Sequence, residues 1–192
     1  MMSTARGQSH FRTPNGTRQI AQLIYREVYS GAPTPFLLMT PEFEIIDAND
    51  AYLAATMRQR DSLAGCDMFQ AFPDNPALPG ANGVANLTQS LTKARSSGFR
   101  HVMGVQRYDV MNREGRWEVR YWRRVNWPVR DSSGTVLALV HHVMDVTSEM
   151  LVKESFEWSD MLFRRADAVC EESRLLREET RRRMQRLRGR RA

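Results

Sequence analysis

The stretch Thr135 to Glu149, TVLALVHHVMDVTSE, decides how the chain is read. Its first half is an apolar, β-branched run, the composition of a strand buried on both faces or nearly so. Its second half, Asp145-Val146-Thr147-Ser148-Glu149, brings in residues that favour helix starts, with no glycine or proline between. The pattern predicts a strand that passes almost without a joint into a charged helix. Mechanically, that is a lever attached to a core.

Upstream of this junction the punctuation is that of an antiparallel sheet. Arg130-Asp131-Ser132-Ser133-Gly134 is a hairpin signal joining the last strand to one over Trp117–Val129, and Asn112-Arg113-Glu114-Gly115 turns the chain from a strand over His101–Val110. Before these, Val84, Leu87, Leu91 and Ala94 fall at helical spacing and end at Ser96-Ser97-Gly98, while Pro73–Gly83 is rich in turn formers and reads as a loop. Phe36–Met39 and Glu44–Asp47 form a short hairpin, and Asp47 or Asn49 then caps a helix that buries Tyr52, Leu53 and Met57. Asp61-Ser62-Leu63 starts a helical turn closed by Gly65. Ile20, Leu23, Ile24 and Val28 mark an amphipathic helix from Thr17, stopped by Ser30-Gly31-Ala32-Pro33, and residues 1–16 read as a flexible segment with a turn at Thr13–Gly16. The expected class is α+β, a five-stranded antiparallel sheet with helices on one face, an N-terminal helix and a long C-terminal one.

Downstream, the chain stays charged and helical. Leu162, Ala166, Val169, Ser173, Leu176, Thr180, Arg183 and Leu187 alternate steps of four and three, the heptad spacing of a modest coiled coil diluted by Ser173, Thr180 and Arg183. The formal charge of +6 is a property of the end: residues 181–192 carry seven Arg and no acid, so the rest sums to −1. Nucleic acid or an anionic membrane is therefore a partner only for that tail, which lacks interleaved aromatics. The apolar runs are too short to cross a bilayer, the N-terminus has no apolar signal core, and Cys66 and Cys170 show no metal spacing; a cytoplasmic protein with reduced thiols is expected. No nucleophile–base pair, metal spacing or phosphate loop suggests an enzyme. The expected division is 1–34, 35–149 and 150–192.

From about Pro35 to Glu149 the chain resembles a PAS domain of the bacterial sensor variety. Phe43–Tyr52 (FEIIDANDAY) is similar to the family's early strand and asparagine-containing helix start, and Leu63-Ala64-Gly65 with Met68–Pro76 (MFQAFPDNP) to its short helix and bend. Gln106–Asp109 and Tyr121–Val129 (YWRRVNWPV) resemble the central strands, Asp131–Gly134 the last hairpin turn, and Asp145-Val146-Thr147 the Asp-x-Thr signature before an output helix. The resemblance implies a sensory or dimerising module with a small pocket between sheet and helices. A change of state would pass through the last strand into the exit helix. Relatives of this variety often sit beside histidine-kinase segments.

Within that frame, Trp122 and Asn126 share a strand face and can line a pocket, the second as its polar handle, although sheet-face packing serves aromatics equally well. His141 and His142 lie on opposite faces of the last strand, so one of them points inward; His142 joins Trp122 and Asn126 as a pocket candidate. Asp145, Thr147 and Glu149 form the signal junction, with Arg120, Arg123 or Arg124 as partners for Asp145. The cofactor is left open. Haem is disfavoured because the helix over Val84–Ser97 has no histidine. Covalent flavin photochemistry is rejected because around Cys66 only the cysteine and Gln70 match the photoreceptor pattern, with Asp67 where arginine is required. The expected function is a signal-transduction and dimerisation module acting in trans on a sensor kinase or other regulatory protein. The alternative is a nucleic-acid-associated regulator using residues 181–192.

Overall fold

Antiparallel strands in the order β2-β1-β7-β6-β3 make the sheet around which the structure, a computed structural model describing residues 14–189 and the side chains of 16–178, is built. β1 is Phe36–Met39, β2 Ile45–Ala48, β3 His101–Arg107, β6 Tyr121–Arg130 and β7 Val136–Asp145; β4 (Val110–Met111) and β5 (Trp117–Glu118) pair as a separate ribbon. β7 lies in the centre. Its register places His141 opposite Leu37 on one side and Asn126 on the other, so one strand face gathers residues from distant parts of the chain.

The period of two along β7 sends Leu139, His141 and Val143 inward, and along β6 it sends Trp122, Arg124 and Asn126 inward. Helices α2 (Asp50–Thr56), α3 (Met68–Ala71) and α4 (Gly83–Ser97) belong to the same core, with Tyr52, Met68, Leu87 and Leu91 buried among Leu37, Met39 and Leu139. Each large apolar side chain buried in this way contributes roughly 1.5–3 kcal/mol.

Local chemistry fixes the joints. Asn49 is fully buried and caps α2, its Oδ1 accepting from Tyr52 N–H at 3.0 Å and Phe36 N–H at 2.9 Å while its amide donates to Thr34 O at 2.8 Å. It thereby ties the helix start to the entry of β1. Asp67 caps α3 through Phe69 and Gln70 N–H. At the last hairpin, Asp131 Oδ1 accepts from Ser133 and Thr135 N–H, and Gly134 adopts φ of 87°, which an L side chain resists.

Three expectations need correction. The turn at Thr13–Gly16 is not one from Pro14 onward: α1 runs Pro14–Ser30, because proline's missing N–H costs nothing at a first helical position. The expected flexible residues 1–13 lie outside the described residues. The strand expected over His101–Val110 stops at Arg107, and the next strand of the main sheet begins at Tyr121, Trp117–Glu118 pairing instead with Val110–Met111. The chain breaks there to turn Tyr108 toward the core, with Tyr108 N–H donating to Arg120 O at 2.9 Å.

The chain divides into two units, residues 1–146 and 147–192. The second is the helix α5, Thr147–Gly189, about 65 Å long at 1.5 Å per residue. Ion pairs one turn apart run along it, Arg164 with Asp160 at 2.9 Å and Arg174 with Glu171 at 2.6 Å. Leu162, Val169 and Leu176 of the expected seam are exposed in the single chain, and the side chains of Thr180, Arg183 and Leu187 lie outside the described residues. No helix among the described residues is long and apolar enough to cross a membrane.

Candidate functional site

The inward residues of β6 and β7 do not close the core completely. A small cavity remains between the sheet and α2–α4, walled by Met68, Phe72, Leu87 and Val143 and by Trp122, Arg124 and His141. The space that a water centre can occupy there is about 20 Å³, room for roughly one molecule. Tyr108 forms one side: its hydroxyl donates to Phe72 O, and its ring lies where a Cβ on Gly83 would come within 1.9 Å of Cδ2. Only glycine at the first position of α4 lets the ring sit there.

Behind the cavity runs a buried polar string. His141 Nδ1 donates to Asn126 Oδ1 at 2.6 Å, the Asn126 amide donates to Ser90 Oγ at 2.7 Å, and Ser90 Oγ meets His101 Nδ1 at 2.7 Å. With the amide oxygen facing His141 and the nitrogen facing Ser90, the string is satisfied when Ser90 donates to His101. It links cavity-lining β7 through β6 and α4 to β3. His141 is neutral: burial first, then the Arg124 and His142 charges, push it down to about 3.

Arg124 is the anomaly. Only 2% exposed, it has its Nη2 bonded to Gln106 Oε1 and its guanidinium over the Tyr108 ring at 5.5 Å, and among the described residues its Nε has no hydrogen-bond partner. Burial pulls its pKa below the ordinary arginine value, against the pull of nearby Tyr108, Tyr52 and Asp74. The Asp74 carboxylate is itself engaged with Val84 N–H at 3.1 Å. A buried cation without a carboxylate partner costs roughly several kcal/mol.

Of the residues expected at a pocket, Trp122 lines the cavity and donates from its indole to Tyr108 O at 2.8 Å. Asn126 lies behind the wall. His142 points the other way: it donates to Pro35 O at 2.9 Å, packs on Phe36 and lines a groove on the opposite sheet face with Trp127 and Phe99. The inward histidine is His141. Arg124, expected only as a partner for Asp145, is turned into the cavity, and Arg120 Nε pairs with Asp145 Oδ2 at 3.4 Å instead. Period two on β6, which already put Trp122 and Asn126 on one face, also places Arg124 between them; that was the available signal. Tyr108 and Ser90 carried none, since one sits at a strand break and the other on a helix face. At the junction, β7 ends at Asp145, Val146 N–H donates to Tyr121 O at 2.9 Å, and Thr147 is the first residue of α5 with Glu149 in its first turn. Cys66 is half-buried with Sγ near Ser62 O at 3.5 Å, and it does not line the cavity.

The family model of the PAS fold matches residues 29–150, more than half of the chain. The chain belongs to the PAS family. PAS domains are sensory and signal-transduction modules. A comparison with curated proteins finds no match. Among solved structures, the PAS domain of a protein from Colwellia psychrerythraea superposes with a TM-score of 0.50 at 9% identity, over 67% of this chain and 98% of that one. An RNA-binding light-oxygen-voltage receptor gives 0.55 at 16% identity over 83% of this chain, which spans only 41% of that receptor. The PAS domain of BvgS from Bordetella pertussis gives 0.44 at 20% identity, over 73% of this chain and 97% of that one. At such identities the likeness is one of fold.

Proposed function

We propose that the PAS domain is an input module whose core cavity reports its state through β7 to α5, and that the chain dimerises and acts in trans on a sensor kinase or another regulatory protein. One observation carries the reading: the strand that supplies His141 and Val143 to the cavity wall is the strand whose last residue, Asp145, is held by Arg120 two residues before α5 begins. Asp145, Thr147 and Glu149 are then the transfer point, and Trp122 is part of the input wall.

Dimerisation is supported by the apolar side chains that the single chain leaves exposed. On α1 these are Ile20, Leu23, Ile24 and Val28; on α5 they include Leu162, Val169 and Leu176 at heptad spacing. An isolated helix with such a stripe is marginal in water, and a second copy is the partner that buries it.

The test fills the cavity from within. Val143→Leu adds one methylene to the wall on β7 and stands in for an occupant. Hydrogen exchange should change along β7 and in the first turns of α5, and Asp145→Ala should suppress the α5 change while leaving the β7 change. Unaltered α5 exchange in Val143→Leu, with altered β7, would sink the transfer reading.

A second reading keeps the tail as a nucleic-acid contact, favoured by the block of seven Arg over residues 181–192. The side chains of this block lie outside the described residues. Removing residues 181–192 should abolish salt-sensitive retention of single-stranded RNA or duplex DNA; retention that survives the deletion eliminates the tail as its cause.

A further inference from the structure

We infer that the cavity is a site for a small organic carboxylate, with Arg124 as its counter-ion. This rests on the reading of the cavity as the input site and names the chemistry of what enters. The guanidinium is almost fully buried on β6, lines the cavity, and has an Nε–H with no acceptor. Among the described residues no carboxylate bonds to it: its Nη2 goes to the neutral amide of Gln106, and its face rests on Tyr108. A structural arginine in a core is paired with an acid, because desolvating the charge is otherwise uncompensated.

The walls say what kind of anion. Beyond Arg124 the walls include the apolar Met68, Phe72, Leu87, Val110 and Val143 and hold no second cation, so a hydrated polyanion such as phosphate recovers little in exchange for its lost water. They do suit a short hydrocarbon tail of up to two carbons on a carboxylate. The hydroxyl of Thr56 donates to Tyr52 O at 2.8 Å and that of Tyr108 to Phe72 O, so neither competes for the ligand's oxygens. Space for about one water centre is smaller than any carboxylate, so a wall must give to admit one, and Met68, unbranched and flexible, is the wall residue that yields. The neutral ring of His141 lies on the same wall, so the arriving charge also acts on β7.

The experiment uses the full chain. Formate, acetate and propionate are titrated by calorimetry and by thermal shift, against formamide, acetamide and propionamide as neutral isosteres and against nitrate and chloride as inorganic anions. A carboxylate should bind saturably, its amide should not, and Arg124→Gln should weaken it by roughly 10- to 100-fold, the worth of a hydrogen bond to a charged group. Near-UV circular dichroism establishes that Arg124→Gln is folded. Should it not be, the Arg124 Nε–H resonance in the unaltered protein, shifting on titration with the carboxylate and not with its amide, gives the same answer. Equal binding of acid and amide overturns the inference but leaves the cavity an input site. Binding that persists undiminished in folded Arg124→Gln, response to nitrate and chloride alone, or no saturable binding, which would mean a resident water at Nε, also overturns it. Carboxylate binding with no effect of Val143→Leu on α5 would instead uphold this site and remove the sensory reading.

Discussion

His141 gives the most direct measure of the polar string behind the cavity. Its imidazole is 2% exposed, donates to Asn126 Oδ1 at 2.6 Å, and has its pKa pushed from 6.5 down to about 3, by burial first and then by the charges of Arg124 and His142. The folded pKa lies below the unfolded one, so folding excludes the proton. The stability this confers is fully present above the unfolded value of 6.5 and is lost as pH falls from there toward about 3. Between about pH 7 and about pH 5 the loss is about 2 kcal/mol, approaching about 1.4 kcal/mol per unit once well below the unfolded value. His141→Gln keeps a donor for Asn126 and does not titrate. Urea denaturation of both proteins across that range should show the unaltered protein losing about 2 kcal/mol more than the variant. The substitution leaves every carboxylate in place, and Asp109 is held below the usual range chiefly by its hydrogen bonds from Arg107. Parallel pH profiles would refute the assignment of a buried neutral imidazole.

Three further outcomes follow from single contacts. Asn49→Ala removes the α2 cap and strands the Phe36 N–H, and should cost roughly 2–3 kcal/mol in denaturant midpoint with the slope unchanged; a loss below about 1 kcal/mol would show that water replaces the side chain. Gly83→Ala drives a methyl into the Tyr108 ring and should cost roughly 1–3 kcal/mol, with hydrogen exchange rising at the loop over residues 73–82; wild-type exchange there would mean the ring moves freely. Leu162→Glu with Leu176→Glu places charge on the α5 seam and should convert a dimer to a monomer by light scattering while the melting of residues 1–146 holds; a dimer that survives puts the interface elsewhere.

The existence of the five sheet strands was legible because turn chemistry is local: Asp131 and Gly134 announce the last hairpin as clearly in the sequence as in its hydrogen bonds. The strand break at Tyr108 was not, since nothing local distinguishes it; the ring is drawn inward by space that only Gly83, on another element, leaves open. For the same reason His142 was named as the pocket candidate where His141 is the inward one. Parity alone makes them equivalent, and the pairing of β7 with β1 and β6 decides which faces the helices. Arg124 was visible on the Trp122–Asn126 face, but an arginine is ordinarily assigned to solvent, so the parity that assigned its neighbours went unused for it.

The register of β6 and β7 also limits how the cavity can act on α5. Trp122, in the cavity wall, lies directly opposite Asp145, and Arg124 opposite Val143. A slip by one residue would carry Leu139, His141 and Val143 to the outer face and strand the Asn126 amide, so β7 cannot signal by sliding. What remains is a change of tilt or twist within a fixed register. Under the proposed function a small change would suffice, since a tilt of about 5° displaces the far end of a helix about 65 Å long by about 6 Å. The ligand then need not do much work on the strand, whose last residue, Asp145, is already held by Arg120.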